Sequence, residues 1–235
     1  MEAGEGDPHA PVGVDTVWAD VALTNRAFLT RAVRFLATRT GVSQLLDCGS
    51  GLLTAENVHQ VARFNAETRV IYVDNDPTVI AQGRALLAGN EQAEFVDGDI
   101  FEPRALLEHP VVRSRLDWTQ PIALFQVGTL YHHKGDRAAA EIMREYVDAL
   151  PSGSYVVLSH LLDPGTEDTK VALGGAAWRT RAEIAELFHG LEIVQPNRSA
   201  EPGVVELVDW WPDGPMLKPR TLGHRMIAGG VARKP

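Results

Sequence analysis

The stretch Gln44-Leu45-Leu46-Asp47-Cys48-Gly49-Ser50-Gly51 decides the fold of this chain. An apolar run ends in an acidic residue, and two glycines come before the helix-forming sequence Ala55 to Phe64. Glycine lets the backbone turn sharply and approach a ligand because it has no Cβ. The free N–H groups of a following helix can bind that ligand. The pattern predicts a parallel strand that leads into a helix across a nucleotide pocket, although glycine also serves such turns for geometry alone.

A second strand is predicted at Arg69-Val70-Ile71-Tyr72-Val73-Asp74. In a βαβ unit the ends of the first two strands lie side by side, so Asp74 can accept hydrogen bonds from both hydroxyls of a ribose. Dinucleotide-binding oxidoreductases and S-adenosylmethionine (SAM)-dependent methyltransferases both use this arrangement. These two residue patterns leave both classes open.

Composition indicates an ordinary globular protein. The chain has 235 residues, 45% of them hydrophobic and 23% charged, and a formal net charge of −9. We expect a flexible tail over residues 1–20 and one domain over residues 21–235. The acidic balance, without a cluster of Lys and Arg, disfavours nucleic acid as a partner. With no apolar run near the roughly 18 residues of a membrane span, we expect no membrane partner. The single cysteine, Cys48, suits a reducing cytoplasm.

Strand and helix patterns alternate along the chain. After a helix over residues 21–38, strands are predicted at residues 44–48, 69–74, 93–97, 122–127, 154–159, 191–194 and 226–232. Residues 163–175 look like a loop, and residues 201–221 look irregular because four prolines fall there. The alternation predicts a doubly wound α/β sandwich, with its ligand at the carboxyl ends of strands 1 to 4.

Several strings resemble one bacterial family of SAM-dependent methyltransferases of class I. The strings are Leu46 to Gly51, Tyr72 to Pro77 and Gly153 to His160, with Asn25 to Leu29 and Thr54 to His59. The resemblance spans roughly residues 21–162 and continues more weakly through Trp211-Pro212-Asp213. It implies a Rossmann-like doubly wound sheet, mostly parallel with an antiparallel C-terminal strand. It also implies SAM as the cofactor and S-adenosylhomocysteine (SAH) as its product.

The resemblance also implies roles for single residues. The methionine part of SAM would contact Asp47, Gly49, Ser50 and Gly51. The ribose would bind Asp74, with Asn75 beside the adenine. Asp99 would accept a hydrogen bond from the adenine amino group, with Ile100 beside the ring. Gln126 and Val127 would close the pocket at strand 4.

The chain departs from this family before the first matched helix. Family members carry a Tyr-Asp-Tyr and a string like Gly-Gly-Lys-Asp-Asn there, whereas this chain offers only Pro8 to Asp20. The covering of the site and its substrate specificity therefore do not follow from the resemblance.

Histidines are the candidate catalytic residues. His132 and His133 follow strand 4, where substrate should approach, and a neutral imidazole can take a proton from a hydroxyl. His160, at the end of strand 5, is a third candidate, and all three could also be ordinary loop or core histidines. Trp178, Trp210 and Trp211 either wall a substrate pocket or pack in the core, and Cys48 is expected to be a small buried residue. Asn25 and Arg26 either reach the SAM carboxylate or lie at a solvated helix end.

Two missing patterns narrow the chemistry. Residues 126–129 lack the Asn/Asp-Pro-Pro-aromatic string of enzymes that methylate the amino groups of nucleic-acid bases. No acidic residue lies between Ile122 and Lys134, so no metal is predicted. Our leading hypothesis is SAM-dependent methyl transfer to a small molecule, with O-methylation in natural-product tailoring as the specific form. The alternatives are a SAM-binding sensor or scaffold, and an NAD-dependent reductase, for which Thr54 stands where a third small residue is usual.

Overall fold

The computed structural model describes residues 13–53, 57–62, 67–174, 176–215 and 219–235. Within these ranges the strands are β1 Gln44–Cys48, β2 Arg69–Asp74, β3 Ala93–Asp97, β4 Ala123–Val127, β5 Tyr155–Leu161, β6 Glu192–Ile193, β7 Val205–Glu206 and β8 Ile227–Arg233. The α-helices are α1 Val14–Arg39, α2 Val58–Val61, α3 Pro77–Leu86, α4 Pro103–Leu107, α5 Pro110–Arg115, α6 Ala139–Ala149, α7 Glu167–Ala172, α8 Arg181–Glu186 and α9 Leu222–Arg225. Two 3-10 helices, Leu130–His132 and Leu207–Asp209, complete the described elements.

The strands form one mixed sheet. Its order is β3-β2-β1-β4-β5-β8-β6, and β7 pairs with β8 beside this path. Strands β1 to β5 run parallel, whereas β8 is antiparallel to β5, β6 and β7. This confirms the prediction of a doubly wound, mostly parallel sheet with an antiparallel C-terminal strand. The parallel strands are nearly continuous apolar runs because both faces of the sheet are covered.

Alternate side chains of each strand enter two separate cores. On β4, Phe125 faces a core that it shares with Phe28 of α1 and with Trp210. Its neighbour Leu124 faces the other core, which includes Tyr146 of α6. Both faces of the sheet are therefore buried, and the carboxyl ends of the strands are left for the site.

The boundaries of most predicted strands agree with the structure, and β2 and β3 coincide with it. The prediction of a flexible tail is wrong for residues 14–20, because α1 already begins at Val14 and buries Val17. The predicted loop over residues 163–175 contains α7, and the irregular stretch 201–221 contains β7. Of the helix predicted over residues 55–64, only α2 is described, and residues 1–12, 54–56 and 63–66 lie outside the described ranges.

The helix α1 is held in place by the segment that follows β7. The Arg31 guanidinium donates to the carbonyl oxygens of Trp210, at 2.9 Å, and of Leu207, at 2.7 Å. The Trp210 ring meets Phe28 edge-on, with 5.3 Å between ring centroids. This anchoring holds the C-terminal half of α1, while Asn25 in the N-terminal half accepts a 2.6 Å hydrogen bond from Ser159 of β5. No helix in the described ranges is both long and apolar enough to cross a membrane.

Candidate active site

The glycine turn after β1 lies tightly against the segment that follows β4. Gly49 and Gly51 have φ values of +70° and +62°, a region that disfavours other residues. The N–H groups of Gly49 and Ser50 both donate to the Val73 carbonyl, at 2.8 and 3.1 Å. A Cβ on Gly49 would lie 2.6 Å from Cγ2 of Thr129. The first glycine is therefore required by close approach as well as by backbone conformation.

Asp74 ties the glycine turn to the end of β2. Its Oδ2 accepts a hydrogen bond of 2.9 Å from the Gly51 N–H. Its Oδ1 accepts from the N–H groups of Asn75 and Asp76, at 2.9 and 3.0 Å. A carboxylate offers about four acceptor positions, so Oδ2 keeps capacity for a ligand hydroxyl.

A cavity of about 280 Å³, which we call the glycine-turn cavity, opens between these turns. Four residues of the predicted cofactor site line it: Gly49, Asp74, Asn75 and Ile100. The segment after β4 forms its other side through Gly128, Thr129 and His132. The structure thus brings together residues that are far apart in the sequence, at the edge of the sheet where the ligand is predicted.

Asp47 lies buried at the carboxyl end of β1. Burial raises the pKa of its carboxyl, the nearby Arg26 guanidinium lowers it and the charge of Asp74 raises it, with a result of about 7. A buried acid with this balance is stabilised as a carboxylate by a further positive charge. Asp47 is therefore suited to a ligand ammonium group. Asn25 and Arg26 are both half-buried within α1, not at a solvated helix end, and the Arg26 guanidinium is close enough to affect Asp47.

Gln126 and Asp99 are placed less directly. The Gln126 side chain is fully buried, and its Oε1 accepts a 2.7 Å hydrogen bond from the Thr129 hydroxyl. It therefore supports Thr129, which lines the glycine-turn cavity. Asp99 is exposed, and its Oδ1 accepts from the Phe101 N–H at 2.8 Å. Ile100 lines the cavity but Asp99 does not, so the adenine contact of Asp99 stays a prediction.

His132 and His133 point to different surroundings. His132 lines the glycine-turn cavity and also a second cavity of about 430 Å³ beside α1. This α1 cavity is also lined by Trp18, Val21, Ala22, Tyr131, Lys134 and Ala176. Burial lowers the pKa of His132, and the charge of Lys134 lowers it further. His132 is therefore neutral near pH 7 and can accept a proton.

His133 does not line either cavity. Its Nε2 donates to the Arg137 carbonyl at 2.8 Å, and its ring packs on Phe101 with 4.7 Å between centroids. The adjacent His132 and His133 therefore have different environments, and of the two only His132 lines these cavities.

The third histidine, His160, is buried below the site. Its Nδ1 donates to the Leu161 carbonyl at 2.9 Å, and its Nε2 accepts a hydrogen bond from Arg179. Burial lowers its pKa to about 4. Because both ring nitrogens are already occupied, His160 is a structural residue in this arrangement.

Comparison with known proteins identifies the family. The family model described as S-adenosyl methyltransferase matches residues 11–235 of the chain. The chain belongs to the S-adenosyl methyltransferase family. The enzymes of this family use SAM, and this membership decides against the NAD-dependent reductase that the glycine turn alone left open.

Two solved structures are similar to this S-adenosyl methyltransferase over most of their length. A proposed methyltransferase from Thermobifida fusca YX is 38% identical, with a TM-score of 0.82, over 92% of this chain and 82% of that one. A DUF574 family protein from Streptomyces avermitilis MA-4680 is 33% identical, with a TM-score of 0.80, over 94% and 88%. The N-methyltransferase NodS from Bradyrhizobium japonicum WM9, at 15% identity and a TM-score of 0.55 over 91% and 97%, shares the fold alone. Among curated proteins, none matches the chain.

The tryptophans and Cys48 of this methyltransferase divide between core and site. Trp210 is fully buried, as predicted for at least one of the three named tryptophans, and Cys48 is buried as well. Trp178 stacks on Trp18, with 6.3 Å between ring centroids, next to the α1 cavity. Trp211 packs under the Arg39 guanidinium, 4.4 Å from its ring centroid.

Sequence reasoning missed three residues of the α1 cavity, namely Trp18, Tyr131 and Lys134. Trp18 fell in the stretch assigned to a flexible tail. Tyr131 and Lys134 flank His132 and His133 in the sequence, and this position beside candidate catalytic residues is the signal that could have identified them. In the described ranges, no three His, Cys, Asp or Glu side chains converge to hold a metal ion.

Proposed function

We propose that this methyltransferase transfers the methyl group of SAM to a hydroxyl oxygen of a small molecule bound in the α1 cavity. One observation carries the proposal: His132 lines both cavities and so lies between a ligand in one and a ligand in the other. The volume of the α1 cavity, about 430 Å³, falls in the range of small-molecule sites, roughly 300–1,000 Å³.

The glycine-turn cavity fits SAM, together with Asp47 and Gly51, which adjoin its lining residue Gly49 in the chain or the turn. Asp74 retains acceptor capacity for ribose hydroxyls, and Asp47 offers a buried carboxyl to the ammonium group. Asn75 and Ile100 line the part of the cavity where adenine would lie, and the turn at Gly49 and Gly51 admits the methionine part without a Cβ in its way. SAM supplies an electrophilic methyl group on a sulfonium, and no other reagent is needed.

His132 accepts the proton in this proposal. The hydroxyl oxygen forms its bond to the methyl carbon as the bond from that carbon to sulfur breaks, and the hydroxyl proton passes to the His132 imidazole. The lowered pKa of His132 keeps its ring unprotonated at neutral pH, and the proton can then be released to water. The two adjoining cavities contribute by placing the reacting groups next to each other.

Separate substitution of the two histidines tests the assignment of His132 as the base. His132→Asn should lower kcat by roughly 10²–10⁴-fold, the usual contribution of a positioned base. His133→Asn is the matched control and should leave kcat within about threefold, because this ring contacts neither cavity. SAH production with a panel of phenols and alcohols measures kcat, and calorimetry measures binding of SAM, SAH and NAD.

Both variants should bind SAM as the wild type does, and none of the proteins should prefer NAD. Equal losses of kcat in the two variants would remove His132 from the reaction. Tight SAM binding without turnover on any acceptor would instead favour a SAM-binding sensor or scaffold.

A further inference from the structure

The wall of the α1 cavity is aromatic on the side of α1. Trp18 lines it, and the Trp18 ring is backed by Trp178 in a stack with an interplanar angle of 27°. Tyr131 contributes a second ring, and Val21 and Ala22 add apolar surface. Aromatic faces arranged in this way favour a flat, aromatic ligand, because rings stack with offset faces or edges.

An ordered series of hydrogen bonds fixes the role of the Tyr131 hydroxyl. The Gly128 N–H donates to Ser159 Oγ at 2.8 Å, and that hydroxyl donates to Asn25 Oδ1 at 2.6 Å. Asn25 and Tyr131 meet at Gly128, since the Asn25 Nδ2 and the Tyr131 hydroxyl oxygen lie 3.1 and 3.3 Å from the position that a Cβ on Gly128 would take. Burial raises the pKa of Tyr131, although the Asn25 hydrogen bond lowers it, so the phenol stays protonated. The effect of Asn25 on this pKa is that of a donor facing the phenol oxygen, which leaves the O–H hydrogen available to a ligand oxygen.

Lys134 adds a positive charge to the same cavity. In the described ranges no carboxylate forms an ion pair with it, although the chain carries a net charge of −9. The positive charge of Lys134 acts on His132 instead, where it disfavours the protonated form of the imidazole. A bound anion would give Lys134 a counter-ion inside the site.

We infer that the α1 cavity selects a planar aromatic acceptor that bears an anionic group in addition to its reactive hydroxyl, that is, a hydroxyaryl carboxylate. The ring lies against Trp18, an oxygen of the ligand accepts the Tyr131 hydrogen, and the carboxylate pairs with Lys134. This inference rests on the proposed function, since it names the acceptor class for the same site.

Binding to the full chain saturated with SAH tests the inference. The probes are 2-, 3- and 4-hydroxybenzoate, their neutral amides, and the non-planar 4-hydroxycyclohexanecarboxylate, titrated by calorimetry. We expect one hydroxybenzoate isomer to bind about 10-fold or more tightly than both its amide and the cyclohexane acid, the scale of a hydrogen bond to a charged group. Methylation of the same probes is measured in parallel.

Variants separate the contributions of Lys134 and Tyr131. Lys134→Met should reduce the preference for the acid over its amide to less than about threefold and leave affinity for the amide unchanged. Tyr131→Phe should weaken the acid and the amide alike by about 2–10-fold, the range of a neutral hydrogen bond. Arg144→Met, which removes an exposed cation on α6, is the matched control and should keep the wild-type preference.

The inference is overturned if no hydroxybenzoate isomer binds, if acid and amide bind equally, or if Lys134→Met keeps the preference. The proposed function is tested separately in the same experiment. If SAH binds and neutral phenols or aliphatic alcohols are methylated with dependence on His132, the proposed function stands and the acceptor class is wrong. If SAH fails to bind, the proposed function itself fails.

Discussion

At the scale of single residues, Asp47 shows a conflict between stability and ligand binding. Its carboxyl is buried, and the charge of the Arg26 guanidinium offsets part of the loss of water. An asparagine at this position would have the same shape without the charge. The chain keeps an acid there, which is understandable if a cationic ligand group completes the site.

The first prediction concerns Asp47→Asn. The folded pKa of Asp47, about 7, lies above its ordinary value of 3.8, so the folded state binds this proton more tightly than the unfolded state. The stability contributed by Asp47 is therefore complete below about pH 4 and is lost as pH rises toward 7. Urea unfolding should show the variant gaining free energy of unfolding relative to wild type from pH 5 to pH 8. Its SAM affinity should fall by roughly 10-fold or more.

A stability difference between the two proteins that does not change with pH would contradict the raised pKa. The binding measurement separates a role of Asp47 in SAM binding from a role in folding alone. If Asp47 serves folding alone, the SAM affinity of Asp47→Asn will match that of wild type.

Single residues of the site differed in how well the sequence predicted them. The positions of Gly49 and Asp74 could be predicted because strand ends of a parallel sheet meet at one edge, whereas that of Ile100 came from the family resemblance. The difference between His132 and His133 could not, because it depends on a 3-10 helix that directs one ring to the cavities and the other to Phe101. The same holds for Tyr131, whose role depends on contacts with α1 and β5.

At the scale of elements, the turn after β1 contains two glycines under different constraints. Both have positive φ, but a Cβ on Gly51 would meet nothing within 4 Å, whereas one on Gly49 would meet Thr129 and Ile100. An alanine at either position would strain the backbone, but only an alanine at position 49 would also clash with neighbouring side chains. The pair therefore forms a natural comparison.

The second prediction compares Gly49→Ala with Gly51→Ala. Gly51→Ala should lower the free energy of unfolding by about 1 kcal/mol through backbone strain. Gly49→Ala should lower it by a further 1–3 kcal/mol or so because of overpacking, and it should also weaken SAM binding as Thr129 and Ile100 are displaced into the cavity. Urea unfolding and calorimetry measure both effects. Equal losses in the two variants would show that only the backbone conformation matters.

Elements with a strong pattern were predicted well, and those that depend on packing were not. Strands β2 and β3 are apolar runs between clear turn signals, so their limits followed from the residues. The start of α1 did not, because Gly13 precedes it without a side-chain cap to mark it, and burial against α9 and the sheet stabilises that part of the helix. The short helix α7 buries no residue and has the polar composition of a loop.

At the scale of the whole molecule, β8 joins the parallel part of the sheet to β6 and β7. It pairs with β5 over seven residues, and Gly229 lies opposite Ser159. A Cβ on Gly229 would lie 2.1 Å from the Leu158 carbonyl oxygen and 2.8 Å from the Ser159 Cα, both backbone atoms. A Cβ on the adjacent Gly230 would have 3.7 Å to its nearest neighbour.

The third prediction compares these two glycines. Gly229→Ala should destabilise the protein by about 3 kcal/mol or more, at the upper end of overpacking costs, because two paired backbones must separate. Any folded fraction should bind acceptor probes more weakly, since the Ser159 hydroxyl donates to Asn25, which lies beside Tyr131. Gly230→Ala should stay within about 0.5 kcal/mol of wild type. Thermal and urea unfolding test this, and similar midpoints for both variants would contradict it.

The position of β8 also sets an order of events during synthesis. Each of the strands β2 to β5 can pair as soon as it leaves the ribosome, since one of its partners precedes it in the chain. β6 and β7 cannot, because among the described strands each pairs only with β8, which follows them. Until residue 233 emerges, β5 presents an unpaired edge, which is a site for association with other chains. At about 5–20 residues per second, the interval from Leu161 to Arg233 lasts several seconds. Nascent chains stalled between these residues should therefore be the ones that bind chaperones most strongly.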